Sequence, residues 1–340
     1  MGLLRVGIRL KLSDAPLSGS VADFVCHGGT QALPARLAGA VVALGNFDGL
    51  HRGHQSVLAQ ARALADQLHR PAAFLTFDPH PRQFFRPDAP LFCLTPPPLK
   101  AAIAQHLGLQ GMITLPFDQA LAQTGAQVFI EELLISGLGV GGLVIGHDFH
   151  FGKGREGSPA MIEAIGRRLG LPVVVVPALK SQDEPVSSSA IRAALQAGDL
   201  RQAAALLGYR WIVRGPVQHG DKRGRTLGYP TANMSLLDAC RLPFGIYAVR
   251  MAVAGRVHDG VASFGSRPTF DNGVPRLETY LFDFAGDLYD QVVDVEWVDF
   301  IRPEAKFDSV EALIAQMDQD SAAARRILAT AGGRSLLPLA

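Results

Sequence analysis

Apolar residues fall into two rhythms along this chain. From about residue 40, short apolar runs alternate with stretches of helical period. Residues 41–45 (VVALG) predict a buried strand, after which Leu58, Ala61, Leu64, Ala65 and Leu68 share one helical face. Residues 72–77 (AAFLTF) predict the next strand, followed by a Pro-rich loop and a helix through Leu99, Ile103 and Leu107. Further short strands are predicted at 112–115, 143–146 and 173–176, separated by helical patterns at 128–134 and through Met161, Ile162, Ile165 and Leu169. Strands that are apolar on both faces and alternate with helices predict a parallel sheet covered on both sides. Ligands in such sheets bind beyond the carboxyl ends of the strands, where the Gly, His and Asp clusters of this chain occur.

After about residue 209 the rhythm changes. Residues 246–253, 256–264, 277–284 and 288–298 read as strands with little helix between them. Val293, Val295 and Trp297 alternate with Asp294, Glu296 and Val298, as in a half-buried antiparallel strand. Short glycine-containing joins at 254–255 and 285–287 predict hairpins. A closing helix follows, with Asp308 placed to cap it and Val310, Leu313, Ile314 and Met317 on one stripe. The fold class is therefore α/β plus all-β: a Rossmann-like parallel-sheet unit at 36–207, then a small barrel or sandwich at 208–330. Residues 1–35 form an N-terminal extension.

Composition narrows the functional classes. With 48% apolar and 19% charged residues, 340 residues can bury a large core. Lys and Arg (32) nearly balance Asp and Glu (31), which disfavours nucleic-acid binding by bulk charge. Three scattered cysteines, Cys26, Cys93 and Cys240, form no CxxC pair and suggest a reducing compartment, hence the cytoplasm. The longest apolar stretches are far short of a membrane span. The N-terminal MGLLRVGIRLKL is broken by Arg5, Arg9 and Lys11 and does not read as a signal peptide.

The densest chemistry follows the first strong strand. Gly45-Asn46-Phe47-Asp48-Gly49-Leu50-His51-Arg52-Gly53-His54 leads from that strand into a helix. Glycines let backbone approach a phosphate, and a helix start offers unpaired N–H groups and partial positive charge. Two imidazoles three residues apart can then stabilise charge on the α-phosphate of a nucleotide. A polar turn with exposed histidines, or a metal site using Asp48, His51 and His54, fits the same residue types. Ser187-Ser188-Ser189-Ala190-Ile191-Arg192 offers hydroxyls and a guanidinium at another helix start, although by themselves the serines read more readily as simple N-capping residues.

In these segments the chain resembles the adenylyltransferase superfamily (HxGH) and, through GNFDGLHRGHQ, its flavin branch, the bacterial bifunctional riboflavin kinase/FAD synthetases. TFDPHP at 76–81 resembles that family's TFxPHP segment, GHDFHFG at 146–152 its flavin-binding GxDFxFG segment, and SSSAIR its SSTxIR segment. The resemblance casts His51 and His54 as catalytic. It assigns Gly45, Asn46, Phe47, Gly53, Ser188, Ser189 and Arg192 to ATP, and Asp78, Asp148 and Phe149 to flavin.

A second segment, Gly220-Asp221-Lys222-Arg223-Gly224-Arg225-Thr226-Leu227-Gly228-Tyr229-Pro230-Thr231-Ala232-Asn233, is rich in glycine and basic residues. By composition it is a loop over phosphates or merely a solvated basic loop. It resembles the family's riboflavin kinase signature ending in PTAN. That resemblance assigns Gly220, Lys222, Gly228, Pro230 and Thr231 to nucleotide, and Thr231 and Asn233 to Mg²⁺, a hard cation suited to neutral oxygens. Within RLETYL at 276–281, it makes Glu278 the general base, where composition alone gives an outward strand carboxylate. The resemblance spans about residues 40–325. It implies a nucleotidyltransferase domain, a six-stranded β-barrel kinase domain, and the conversion of riboflavin to FMN and then FAD with ATP, with neither nucleic acid nor membrane as partner. Three departures stand out: VASFG at 261–265 where the kinase often has Asn-Ile-Gly, Ser189 for a usual Thr, and His150 where Arg is frequent. Two narrower readings are a chain with one active half, or a flavin- or nucleotide-binding regulator.

Overall fold

The computed structural model describes residues 24–181, 184–220, 227–236, 240–266 and 275–339. The first rhythm becomes a parallel sheet of β1 (Val25–Gly28), β2 (Val41–Leu44), β3 (Ala72–Asp78), β4 (Gly111–Pro116), β5 (Gly142–Gly146) and β6 (Val173–Val176), in the order β1-β4-β3-β2-β5-β6. Successive residues of β2 serve opposite cores. Val41 and Ala43 join one cluster with helices α1 (Arg52–Leu68) and α3 (Pro97–His106), whereas Val42 and Leu44 join another with residues 129–138. That division explains the continuous apolar runs. β1 lies within the segment set apart as an extension, pairing in parallel with β4 from Val25↔Gly111 to Gly28↔Thr114. The Pro-rich loop after β3 also contains a short helix, α2 (Pro81–Phe85).

Smaller helices, α4 (Gln119–Ala122) and α5 (Ala126–Val128), lead into π-helical turns at Phe129–Leu138. α6 (Pro159–Leu169) precedes β6, and a two-residue ribbon, β7 (Lys180–Ser181) with β8 (Glu184–Pro185), leads into α7 (Ser188–Gln196) and α8 (Leu200–Leu207). The chain leaves β2 for β3 on one side and returns to β5 on the other. The sheet's topological switch therefore lies between β2 and β5, where open α/β sheets bind ligands.

The second unit is an antiparallel sheet of β9 (Ile212–Pro216), β10 (Thr231–Ser235), β11 (Gly245–Val253), β12 (Arg256–Gly265), β13 (Arg276–Leu281) and β14 (Val292–Pro303), in the order β10-β13-β12-β11-β14-β9. A bridge between Gln218 and Asn233 brings its two edges together into a barrel. The join at Ala254 and Gly255 is a tight hairpin, with φ of 47° and 77°. The hairpin expected at 285–287 is not one. β13 pairs with β10 and β12, and β14 crosses to lie beside β11, the Greek-key arrangement. Glycine there marks a turn, but the long-range partner of the next strand is set by the core.

β14 also differs from a half-buried strand: positions 293–298 are all buried. Its charged residues face inward-lying partners rather than water. Asp294 makes two bonds to Arg214, at 2.6 and 2.7 Å, and Glu296, fully buried, bonds Arg210 at 3.0 Å and accepts from Ser335. The closing helix, α9 (Val310–Thr330), is capped by Ser309, whose hydroxyl accepts from Ala312 N at 3.1 Å, rather than by Asp308. Its buried face lies at Asp320, Ala324 and Leu328. Val310, on the predicted stripe, is exposed, because only the later turns cover the barrel.

Removing one partner of a buried ion pair leaves the other uncompensated. Glu296→Ala is expected to cost about 3–5 kcal/mol of stability, read as a lowered denaturation midpoint in chemical unfolding.

Candidate active site

β2 ends in a turn that is strained and tightly pinned. Phe47, Gly49 and Leu50 all have left-handed φ, of 48°, 88° and 39°. Such a backbone persists only where its surroundings over-determine it, and Phe47 and Leu50 are fully buried. Asp48 supplies the anchor. Its Oδ1 accepts from Leu94 N at 2.9 Å and Thr95 N at 3.0 Å, and Oδ2 pairs with Arg192. Ser188 donates to Asp48 O at 2.8 Å, Gly49 N donates to Thr95 Oγ1 at 2.8 Å, and Tyr209 donates to Gly49 O at 2.7 Å. With both carboxylate oxygens so engaged, Asp48 is a structural clamp rather than a metal ligand.

His51 is the N-cap of α1, its Nδ1 accepting from His54 N at 3.3 Å. A neutral ring that accepts at Nδ1 carries its proton on Nε2. The His51 and His54 rings stack at 3.6 Å between centroids, 17° from parallel, with Phe47 edge-on to His54 at 5.2 Å. Gly53 makes this possible, since a Cβ there would stand 3.2 Å from the His51 ring. Burial pushes the His51 pKa down to about 4, against the pull of Asp48 and Asp148. Burial, then the charges of His51 and Lys100, hold His54 well below its ordinary range. Both rings are therefore neutral N–H donors near pH 7. Among the described residues the buried His54 Nδ1 has no hydrogen-bond partner, the kind of orphan that marks a functional site.

Across the switch point, β5 leads to Asp148 and Phe149. Asp148 is exposed, and Phe149 stacks on Phe151 at 5.6 Å. Asp78 is exposed at the end of β3. Beside it, Phe84 and Phe85 of α2 each meet Phe117 edge-on, at 5.3 and 5.7 Å, and Phe117 meets Phe77 at 5.7 Å. Phe85 is 64% exposed, so the aromatic cluster presents a ring to solvent. Arg192 and the exposed Ser189 line a cleft of about 280 Å³ with Arg82, Phe92, Gln196 and Arg241 from the barrel unit. Ser187 caps α7 by accepting from Ala190 N, as a capping role predicts. Gly45, exposed Asn46, Gly53 and Ser188 gather around the turn. Phe47 is interior, so only its backbone faces the turn.

The barrel carries the second cluster on its outer face. Asn233 pairs directly with Glu278, and Glu278 with Ser263 on its other side. Thr231 lies two residues from Asn233 and therefore on the same face. Their neighbours Ala232, Met234 and Leu277 point into the barrel core. Directly opposed residues hold their Cβ atoms about 4.5–5.5 Å apart, so Asn233 meets Glu278, and Thr231, opposite Tyr280, lies on the same face diagonal to Glu278 at about 7–8 Å. Asn233 Nδ2 donates to Thr231 O at 3.3 Å, leaving Oδ1 as an acceptor. Gly220 lies close against this side chain, where a Cβ would come within 2.6 Å of Nδ2. Gly228 and Pro230 are exposed just before β10. PTAN thus lies at and within a strand rather than on a loop. Lys222 and the remainder of 221–226, with 267–270, lie outside the described residues.

Several site-lining residues were not singled out by sequence. Lys100 is buried on α3 with its Nζ 2.9 Å from Asn46 O. His80, within the quoted TFDPHP segment, caps α2 by accepting from Arg82 N at 3.1 Å, and burial pushes its pKa to about 4. The Phe85–Phe117 contact joins distant segments and leaves no local pattern.

Among the described residues no helix is long and apolar enough to cross a membrane, and no three His, Cys, Asp or Glu side chains are grouped to hold a metal ion. Two family models match: FAD synthetase over residues 33–190 and riboflavin kinase over 207–328. The bifunctional riboflavin kinase/FMN adenylyltransferase of Pseudomonas fluorescens is 40% identical, covering 87% of this chain and 95% of its own. That of Listeria monocytogenes is 38% identical, covering 85% and 92%. A crystal structure from Streptococcus pneumoniae, named there a macrolide-efflux protein, is similar with a TM-score of 0.77 at 30% identity, covering 89% of this chain and 99% of its own. With the pinned histidine turn on a parallel sheet and PTAN facing Glu278 on a barrel, this chain belongs to the bifunctional riboflavin kinase/FMN adenylyltransferase family.

Proposed function

We propose that this chain phosphorylates riboflavin to FMN with ATP and then adenylylates FMN with a second ATP, releasing pyrophosphate. The first step belongs to residues 208–330 and the second to 36–207. The reading is carried by one observation above all: two separate clusters of donors and acceptors, each suited to a different phosphorus of ATP.

For adenylylation, a phosphate oxygen of FMN attacks the α-phosphorus in line and pyrophosphate leaves. His51 and His54, neutral and preorganised, donate N–H to the oxygens on which charge builds. The helix start at His51, with Gly45, Asn46 and Gly53, offers backbone to the phosphates, while Ser188, Ser189 and Arg192 border their path. Asp78, Asp148 and Phe149 form the flavin side, and the exposed Phe85 adds an aromatic face suited to an isoalloxazine ring.

For phosphorylation, Glu278 takes the proton of the ribityl 5′-hydroxyl as that oxygen attacks the γ-phosphorus, and ADP leaves. A divalent cation is compatible with the family. Thr231 and Asn233, neutral oxygen donors on one strand face, suit Mg²⁺, which would neutralise phosphate charge. Gly220, Lys222, Gly228 and Pro230 complete the nucleotide side. Three free cysteines fit a reducing compartment, and we place both reactions in the cytoplasm.

The two activities are expected to separate by mutation. His54→Ala should lower FMN adenylylation about 100-fold or more and spare riboflavin phosphorylation. Glu278→Gln should do the reverse, by about 100-fold or more. Chromatography of the flavins formed from riboflavin, and separately from FMN, reads both. Equal loss of FMN formation from riboflavin and of FAD formation from supplied FMN, in either variant, would refute the division.

Histidine neutrality has a pH signature as well. Folded His51 titrates near 4, below its ordinary 6.5, so between these values the unfolded chain binds more protons. Stability therefore falls as pH drops through that window. His51→Gln should flatten this part of the stability–pH curve, measured by chemical denaturation at pH 7, 6 and 5.

A further inference from the structure

Beneath the histidine turn lies a buried ammonium with only neutral acceptors. Lys100 is 5% exposed, and its Nζ donates to Asn46 O at 2.9 Å and Thr76 Oγ1 at 3.0 Å. Among the described residues it has no ion pair. Burial pushes its pKa below the ordinary lysine range, and the carboxylate of Asp48 draws it back up through space, but that group is committed to Arg192 and two backbone N–H groups. Burying an ammonium is far costlier than burying an amide or hydroxyl. A neutral donor would make the same two hydrogen bonds without that penalty, so the charge itself calls for an explanation.

The neighbours indicate what the charge faces. Asn46 opens the turn that leads to His51. Thr76, two residues before Asp78, also donates to Asn46 O at 2.9 Å. Lys100 thus ties the carboxyl ends of the two central strands, β2 and β3. The titratable groups that act on it are Asp48, Cys93 and Asp78, and it acts in turn on His54 and His80.

We propose that Lys100 is a positioning residue for adenylylation: its ammonium fixes the Asn46 turn and presents to the His51–His54 pocket a positive charge that is balanced when nucleotide phosphates enter. The inference rests on the adenylylation reading above. Polyphosphate then meets a cation already in place, with no reorganisation at the moment of reaction. The same charge disfavours protonation of His54 and so keeps that ring an N–H donor rather than an imidazolium.

Two variants separate charge from hydrogen bonding. Lys100→Gln keeps a neutral donor, and Lys100→Arg keeps the cation. Each is compared with wild type in FMN adenylylation, in riboflavin phosphorylation and in a ¹⁵N-histidine NMR titration of His54. Lys100→Gln should lower kcat for adenylylation about 100-fold, leave phosphorylation within about twofold, and raise the His54 midpoint. Lys100→Arg should restore both adenylylation and the midpoint. Unchanged adenylylation in Lys100→Gln overturns the proposal. So does a loss that Lys100→Arg fails to restore while the His54 midpoint stays still, since that marks a merely structural lysine. Wild-type protein that makes FMN but never FAD would instead sink the adenylylation reading, and the His54 midpoint would still report whether this charge faces the pocket.

Discussion

One buried carboxylate organises the parallel-sheet unit. Asp48 draws three separate stretches of chain to a point: its own turn after β2, the Leu94–Thr95 backbone before α3, and Arg192 on α7. Each bond is to a charged or backbone donor in a buried setting, where an unmatched partner is costly. The strained φ values of Phe47 and Leu50 are tolerable because this clamp and the surrounding core leave no alternative. The stacked histidines, the orphaned Nδ1 of His54 and the Arg192 edge of the neighbouring cleft all take their places from it.

The clamp also reaches the second unit. Tyr209 donates to Gly49 O, Trp211 Nε1 donates to Leu94 O at 3.0 Å, and Gln55 donates to Leu207 O at 2.8 Å. One apolar cluster runs without a break from Val41 and Phe74 through Trp211 to Trp297 of the barrel. The two halves are distinct in topology but continuous in packing. Residues that open the barrel therefore help to set the backbone of the histidine turn.

Much of this was legible in sequence, for physical reasons that differ by element. The central strands were plain because burial on both faces demands unbroken apolar runs, as in 72–77. The histidine turn was plain because glycine, histidine and a helix start coincide. β9 and β10 were hidden, since Ile212–Pro216 and Thr231–Ser235 are short, and each includes a residue better known from turns. The path of β14 was misjudged because a local glycine turn says nothing of which strand comes next. Its charged positions misled for a related reason: Asp294 and Glu296 read as solvent-facing until Arg214 and Arg210 supply buried partners. Lys100 escaped because its acceptors, a carbonyl and a hydroxyl, have no sequence signature of charge complementarity.

The register Asn233↔Glu278 has an evolutionary consequence. Side chains of a strand alternate between faces, so sliding β13 by a single residue would carry Glu278 into the barrel and expel Leu277 from it. An insertion or deletion of one residue within this ladder is thus barred by parity alone, whatever residue it adds. Chain outside the paired strands carries no such restriction. Length variation among relatives should concentrate there, and the chemistry on the ladder can persist while the loops around it drift.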